Sequence, residues 1–179
     1  GGWLEGVLNP LRQLNHRVIS FYYDYPNAPT IASNLVKVSS YVPKKLQQYI
    51  KPAAIKIGTA WEENMNRKLL SVSQNAKADL IFILKGETLR AETLAEMKKF
   101  SKHIISWWLD DPILYFPTHP QARAQLQYID ILFMFDRAKF QELQHLGAKR
   151  VEYLPCAFDP NVYHPKQISP EDIKKYQCD

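Results

Sequence analysis

Apolar residues along the chain alternate between two rhythms. Leu4, Val7, Leu8, Leu11 and Leu14 recur at helical spacing, and RVISFYY at residues 17–23 follows with strand character. Thr59-x-x-Glu62 reads as a capping box opening a helix that runs to about Ala76, with Met65, Leu69 and Val72 on one face. DLIFIL at residues 79–84 is then a buried strand. The rhythm repeats: a helix over residues 91–100 precedes HIISWWL, and Thr118-x-x-Gln121 caps a short helix before DILFMF. Asp136 caps RAKFQELQHL, Gly147 ends it, and RVEYL at residues 150–154 is one more short strand.

Strands that are almost wholly apolar, alternating with amphipathic helices, predict a parallel sheet covered on both faces. The expected class is α/β: a doubly wound, mostly parallel, Rossmann-like sheet. Residues 26–58 fit this pattern least well; a helix near residues 31–40 and another after Pro43 are expected there. No internal repeat or low-complexity tract interrupts the chain. Gly1 and Gly2 open directly into the first helix, as the glycine turn after a first strand would, and this predicts a strand upstream of Gly1.

Composition changes this picture only locally. With 179 residues, 46% of them apolar, the chain can bury a core without staples. Its two cysteines, Cys156 and Cys178, form neither a disulfide framework nor a metal-binding pair, so a reducing cytoplasm is the expected setting. The first 18 residues lack a basic region followed by an apolar one, and no apolar run reaches the about 20 residues that cross a bilayer. The net charge of +5 comes from a single segment. Between Tyr25 and Trp61 lie Lys37, Lys44, Lys45, Lys51 and Lys56 with no Asp or Glu, a basic face suited to an anionic polymer or lipid surface, if it is not simply a solvated loop.

In an open parallel sheet, ligands lie beyond the carboxyl ends of the strands, at the point where strand order reverses. That places Asp110 and Asp111 on the cleft rim after HIISWWL, Lys85 and Glu87 after DLIFIL, and Asp136 and Arg137 after DILFMF. Gly1 and Gly2 would flank the same point, with free N–H groups at a helix N-terminus. Each position has a plainer reading. One of Asp110 and Asp111 should satisfy the turn before Pro112, but two adjacent carboxylates repel, which argues against a purely structural role for both. Lys85 and Glu87 can form a surface ion pair, and Asp136 is first a helix cap. Trp107 and Trp108 point to opposite faces of a strand and read as packing residues. His103, His119 and His164 lack metal-ligand spacing.

NRKLL (66–70), ADLIFILKGETL (78–89), IISWWLDDP (104–112), FDR (135–137) and LGAKRVEYLPCAFDPNVYHP (146–165) together resemble the N-terminal half of CgeB-like glycosyltransferases, the spore-maturation family. The resemblance implies a GT-B enzyme of two Rossmann-like domains, the C-terminal one binding a nucleoside diphosphate sugar and the N-terminal one binding the acceptor. Residues 1–165 would be the acceptor-side domain, with 26–58 a variable lysine-rich segment. Residues 166–179 would begin the connection to a donor-binding domain that this chain does not contain. It further implies a glycan, polymer or protein acceptor, no cofactor or metal beyond the donor sugar, and Asp110 or Asp111 orienting or deprotonating the acceptor hydroxyl. The protein would be cytoplasmic, reaching the inner membrane face through the lysine segment. Two rival readings follow from the residues themselves: a noncatalytic module binding a glycan or nucleotide, and an acidic Mg²⁺ pocket of Asp110, Asp111 and Asp136, as in phosphoryl-transfer or receiver domains. Nucleic-acid binding ranks last, since the basic segment carries no recognition motif.

Overall fold

The computed structural model describes residues 2–22, 41–157 and 167–176. The chain divides into two compact units, one formed by Gly1–Val18 with Cys156–Asp179, the other by Ile19–Pro155.

The first unit contains helix α1 (Gly2–Gln13), which closes through Asn15 in the left-handed conformation, and a C-terminal helix. The stretch expected to form a strand after α1 carries no strand over its described residues 17–22. A run of β-branched and aromatic residues becomes a strand only when another strand pairs with its backbone; from Ile19 on the run belongs to the second unit, where Ile19 and Tyr22 are exposed and Phe21 packs against that unit's own core.

The second unit is α/β. Helix α2 (Lys44–Ala76) begins after Pro43 and ends at Lys77, whose left-handed backbone returns its N–H to Ser73 O at 3.1 Å. The start after Pro43 and the end at Ala76 agree with the sequence pattern; the proposed start at Thr59 does not. Thr59 lies inside one uninterrupted 33-residue helix, where the backbone N–H groups a capping box would serve are already bonded. The helix also passes through Pro52 and Gly58, which a local reading takes as breaks.

Strands β1 (Leu80–Leu84), β2 (His103–Trp108), β3 (Ile131–Met134) and β4 (Val151–Tyr153) form one parallel sheet in the order β1-β2-β3-β4. Leu84 lies opposite Trp107, and Trp108 opposite Met134. Helices α3 (Ala91–Met97), α4 (Pro112–Tyr115), α5 (Pro120–Gln125) and α6 (Phe140–His145) occupy the crossovers, and α7 (Pro170–Tyr176) belongs to the first unit. A four-stranded parallel sheet flanked by helices is consistent with the Rossmann-like, doubly wound class. Strand order follows the chain without reversal among the described residues, so β1 is an edge there and Leu80 is half exposed.

Ile83, Ile104, Trp108, Leu132 and Met134 from the strands meet Leu89, Leu94, Met97, Leu126 and Leu143 from the helical layer, all essentially buried. Burying side chains of this size contributes about 1.5–3 kcal/mol each before conformational entropy is counted. The helix starting at Pro120 is capped by no side chain; Thr118 instead bonds Tyr115 O at 3.0 Å, because Pro120 lacks the N–H and itself sets the first turn. Asp136 does cap as expected, its Oδ1 accepting Ala138 N–H at 2.9 Å, and Gly147 ends α6 at φ +114°.

Asp130 ties the helical layer to the sheet. Its Oδ2 accepts Ile104 N–H at 2.8 Å, its own N–H donates to Ile104 O at 2.7 Å, and Lys98 at the end of α3 binds its carboxylate. Burial pushes this carboxyl up, but the hydrogen bonds from Lys98 and Ile104 N–H, with the charges of Lys98 and Lys149, more than offset it and hold it below its ordinary value. A carboxyl depressed in the folded state stabilises above its unfolded pKa of about 3.9 and loses that contribution as pH falls through the lower folded value. Asp130→Asn is therefore expected to cost about 1–2 kcal/mol near neutral pH, with the deficit shrinking below about pH 4. Urea denaturation across that range measures it, and a deficit independent of pH would show that ionisation is not its source.

Candidate functional site

The turn leaving β1 is built around two left-handed residues. Lys85 (φ +64°) carries the sheet pairing one step further by donating its N–H to Trp107 O at 2.9 Å, and Gly86 (φ +94°) follows. A Cβ on Gly86 would lie 2.9 Å from Ile83 Cγ2, so both the conformation and the space demand glycine. The non-glycine residue held at positive φ beside it carries a backbone cost of about 1 kcal/mol or more, a kind of strain that gathers at functional turns.

Two buried amides hold this turn in place. Gln125 of α5, 1% exposed, donates from Nε2 to Gly86 O at 3.0 Å and to Leu89 O at 2.5 Å. Asn66 of α2 donates from Nδ2 to Thr88 O at 3.0 Å and to Glu62 O at 2.8 Å, while its Oδ1 accepts Arg90 N–H at 2.9 Å. The backbone of residues 86–90 is thus bonded from both sides, where an unsatisfied buried group would cost about 1–3 kcal/mol.

The held turn presents charge. Lys85 Nζ pairs closely with Asp110 and lies 3.8 Å from Glu87. Asp111 takes the turn role expected of one of the adjacent aspartates, its Oδ1 accepting Ile113 N–H at 3.0 Å, and its Oδ2 lies 3.9 Å from Lys139 Nζ. Two lysines thus offset the repulsion between neighbouring carboxylates. Asp110 keeps 60% of its side chain exposed and Asp111 44%, so both can reach a ligand.

Beside them is a cleft of about 220 Å³ lined by Glu87, Trp108, Asp110, Asp111 and Tyr115. Glu87 and Tyr115 also line a larger cleft of about 700 Å³, which extends past Arg90 and His119 toward Glu62 of α2. Trp108 packs at 5.2 Å from the Tyr115 ring and 4.8 Å from Phe116, and His119 stacks on Tyr115 at 3.9 Å with the planes 13° apart. His119 Nδ1 lies 2.9 Å from Tyr115 O and 3.0 Å from the Thr118 hydroxyl. Among the described residues, the buried Trp108 Nε1 and Thr88 Oγ1 have no hydrogen-bond partner.

Of the residues singled out from sequence, the structure brings Lys85, Glu87, Asp110 and Asp111 together and leaves the others elsewhere. Asp136 is occupied as a cap, and Arg137 stacks its guanidinium 4.3 Å from the centre of the Tyr153 ring. Their turn reaches the cluster through Lys139, which the sequence reading passed over. Gly1 lies outside the described residues, and Gly2 opens α1 in the other unit. Among the described residues no group of three or more His, Cys, Asp or Glu could hold a metal ion, and Asp110, Asp111 and Asp136 are each engaged by other partners. Asn66, Gln125, Tyr115, His119 and Lys139 were missed as site residues. The only sequence signal for them was the helix on which each amide sits.

Comparison of the chain with protein-family models, with curated proteins and with solved structures finds no match. Function therefore has to be argued from this geometry.

Gly86→Ala is expected to lower stability by about 1–3 kcal/mol, through strain at positive φ and the clash with Ile83. Gln125→Leu, which keeps most of the volume but frees the carbonyls of Gly86 and Leu89, should cost about 2–4 kcal/mol. Chemical denaturation checks both, and a neutral Gly86→Ala would contradict the turn as described.

Proposed function

We propose that this chain is the acceptor-side, N-terminal domain of a GT-B glycosyltransferase that transfers a sugar from a nucleoside diphosphate sugar to an acceptor hydroxyl. The observation that carries the reading is the exposed Asp110 carboxylate, held by Lys85 at the carboxyl ends of β1 and β2, on the rim of a cleft with an aromatic wall. Carboxylates in that place suit a hydroxyl nucleophile, and ligands of parallel α/β sheets gather at strand carboxyl ends. In the reaction the acceptor oxygen forms the new glycosidic bond as the bond from the anomeric carbon to the diphosphate breaks. The hydroxyl proton passes to Asp110 or Asp111, and the nucleoside diphosphate leaves. The donor would be held mainly by a C-terminal domain beyond this chain, which by itself would not turn over. No metal is required if positive side chains and helix N-termini there stabilise the diphosphate.

The acceptor, a glycan, polymer or protein, would be met on the cytoplasmic side of an anionic surface. Lys44, Lys45, Lys51 and Lys56 along the first half of α2 are exposed, with no carboxylate partner among the described residues, and Lys37 lies outside them. Among the described residues no helix is long and apolar enough to cross a membrane, so contact would be peripheral. The second reading, a noncatalytic module binding a glycan or nucleotide in the same cleft, is favoured by the same aromatic wall and differs only in needing no second domain.

Calorimetry with UDP, GDP and their sugars on this chain and on the complete gene product separates the two. Donor binding by the complete product alone supports the transferase reading, and tight nucleotide binding by this chain alone supports the module. In the complete product, Asp110→Asn combined with Asp111→Asn should reduce turnover by roughly 100-fold or more, and unchanged turnover would remove their catalytic role. Acceptor binding should weaken as salt is raised if the lysines contribute, and salt-independent binding would exclude them.

A further inference from the structure

The charge and donor balance of the two adjoining clefts defines what they can accept. The larger cleft is walled by three carboxylates, Glu62, Glu87 and Glu92, against a single guanidinium, that of Arg90, with the Lys85 ammonium 3.8 Å from Glu87. Arg90 is already bonded to Glu63 at 3.3 Å, and Gln121 reaches Glu92 only at 3.4 Å. Glu62 has no ion-pair partner among the described residues. This wall repels phosphate and carboxylate and offers hydrogen-bond acceptors in excess, so its complement is a ligand rich in donors and free of negative charge.

Two further observations point to a ligand. Trp108 is 1% exposed and lines the smaller cleft, yet its buried indole N–H has no acceptor among the described residues, and neither has the buried Thr88 hydroxyl behind the wall of the larger cleft. Native structures rarely leave such donors unmet, and a small shift of either side chain toward its cleft would let an oxygen atom of a ligand complete it. The Tyr115–His119 stack lines the larger cleft and supplies a flat, weakly polar surface of the kind that packs against the C–H face of a sugar ring.

We infer that the two adjoining clefts, which share Glu87 and Tyr115 and are lined further by Trp108, His119, Glu62 and Glu92, bind a polyhydroxylated ring without negative charge, a neutral saccharide or its amino derivative, and reject phosphorylated and acidic sugars. The inference rests on the reading of this cleft as the acceptor side and narrows it, since it places the acceptor's sugar in the larger cleft with a hydroxyl toward Asp110 and Asp111. It also separates this cleft from the lysine face of α2, where an anionic carrier would lie.

The test uses maltotriose, chitotriose and a glucosamine trimer, with glucose 6-phosphate and glucuronate as charged counterparts to glucose. Binding to this chain and to the complete product is followed by calorimetry and by the NMR signal of the Trp108 indole N–H. Saturable binding of a neutral or amine-bearing saccharide that moves the Trp108 signal is expected, with the charged sugars roughly tenfold weaker or worse than glucose. The pairing of chitotriose with the glucosamine trimer separates a neutral ligand from a cationic one. Glu62→Gln with Glu92→Gln should narrow the gap between glucose and glucose 6-phosphate by roughly tenfold without changing the fold. Equal or tighter binding of the charged sugars, an unchanged gap in the double variant, or no binding of any saccharide at millimolar concentration would each overturn the inference. Saccharide binding that persists while the complete product binds no nucleotide sugar would instead sink the transferase reading and leave the inference standing.

Discussion

The turn after β1 must leave a parallel sheet, cross a buried layer and enter α3 without stranding its backbone polar groups. Two side-chain amides meet that constraint: Asn66, reaching from α2 to Thr88 O and Arg90 N–H, and Gln125, reaching from α5 to the carbonyls of Gly86 and Leu89. The candidate site of this unit is built on that clasp. With the backbone held, Lys85 can stay at positive φ and pair with Asp110, and Glu87 can line both clefts. The clasp also explains why a helix as long as α2 is useful, since it carries Asn66 to the turn and Glu62 to the cleft wall while its other end displays lysines away from acidic residues.

Electrostatics in the site are arranged in opposing zones. The adjacent aspartates that repel one another are each matched to a lysine from a different turn, Lys85 after β1 and Lys139 after β3. Between partly exposed groups such pairs contribute modestly to stability, so their larger effect is to orient the carboxylates. Beyond them the balance turns acidic through Glu62, Glu87 and Glu92, which gives the clefts a preference by charge as well as by shape.

Much of this architecture was legible in the residues. Mostly apolar runs marked β1 to β3 and the mixed run RVEYL marked β4, and the carboxyl ends of the first two carry Lys85, Glu87, Asp110 and Asp111, which the structure brings near one another. Asp136 and Gly147 acted through local backbone chemistry and were readable for that reason. What was misread depended on tertiary context. Thr59-x-x-Glu62 matches a capping box, but α2 runs on through Pro52 and Gly58 and leaves nothing there to cap. Residues 17–22 have the composition of a strand but form none, although β1 is an edge of the sheet among the described residues. Asn66 and Gln125 look like ordinary helix residues because a buried amide reveals its role only through partners 22 to 39 positions away.

Amide hydrogen exchange at Arg90, in the wild type and in Asn66→Ala, tests the central claim most directly. Arg90 immediately precedes α3, and its N–H donates to the Asn66 side chain. The clasp predicts exchange in the wild type as slow as that of the neighbouring core, accelerated by orders of magnitude in the variant while β2 amides keep their protection. Fast exchange in the wild type, or protection unchanged by the substitution, would show that the turn is not held in this way and that the site built on it needs another support.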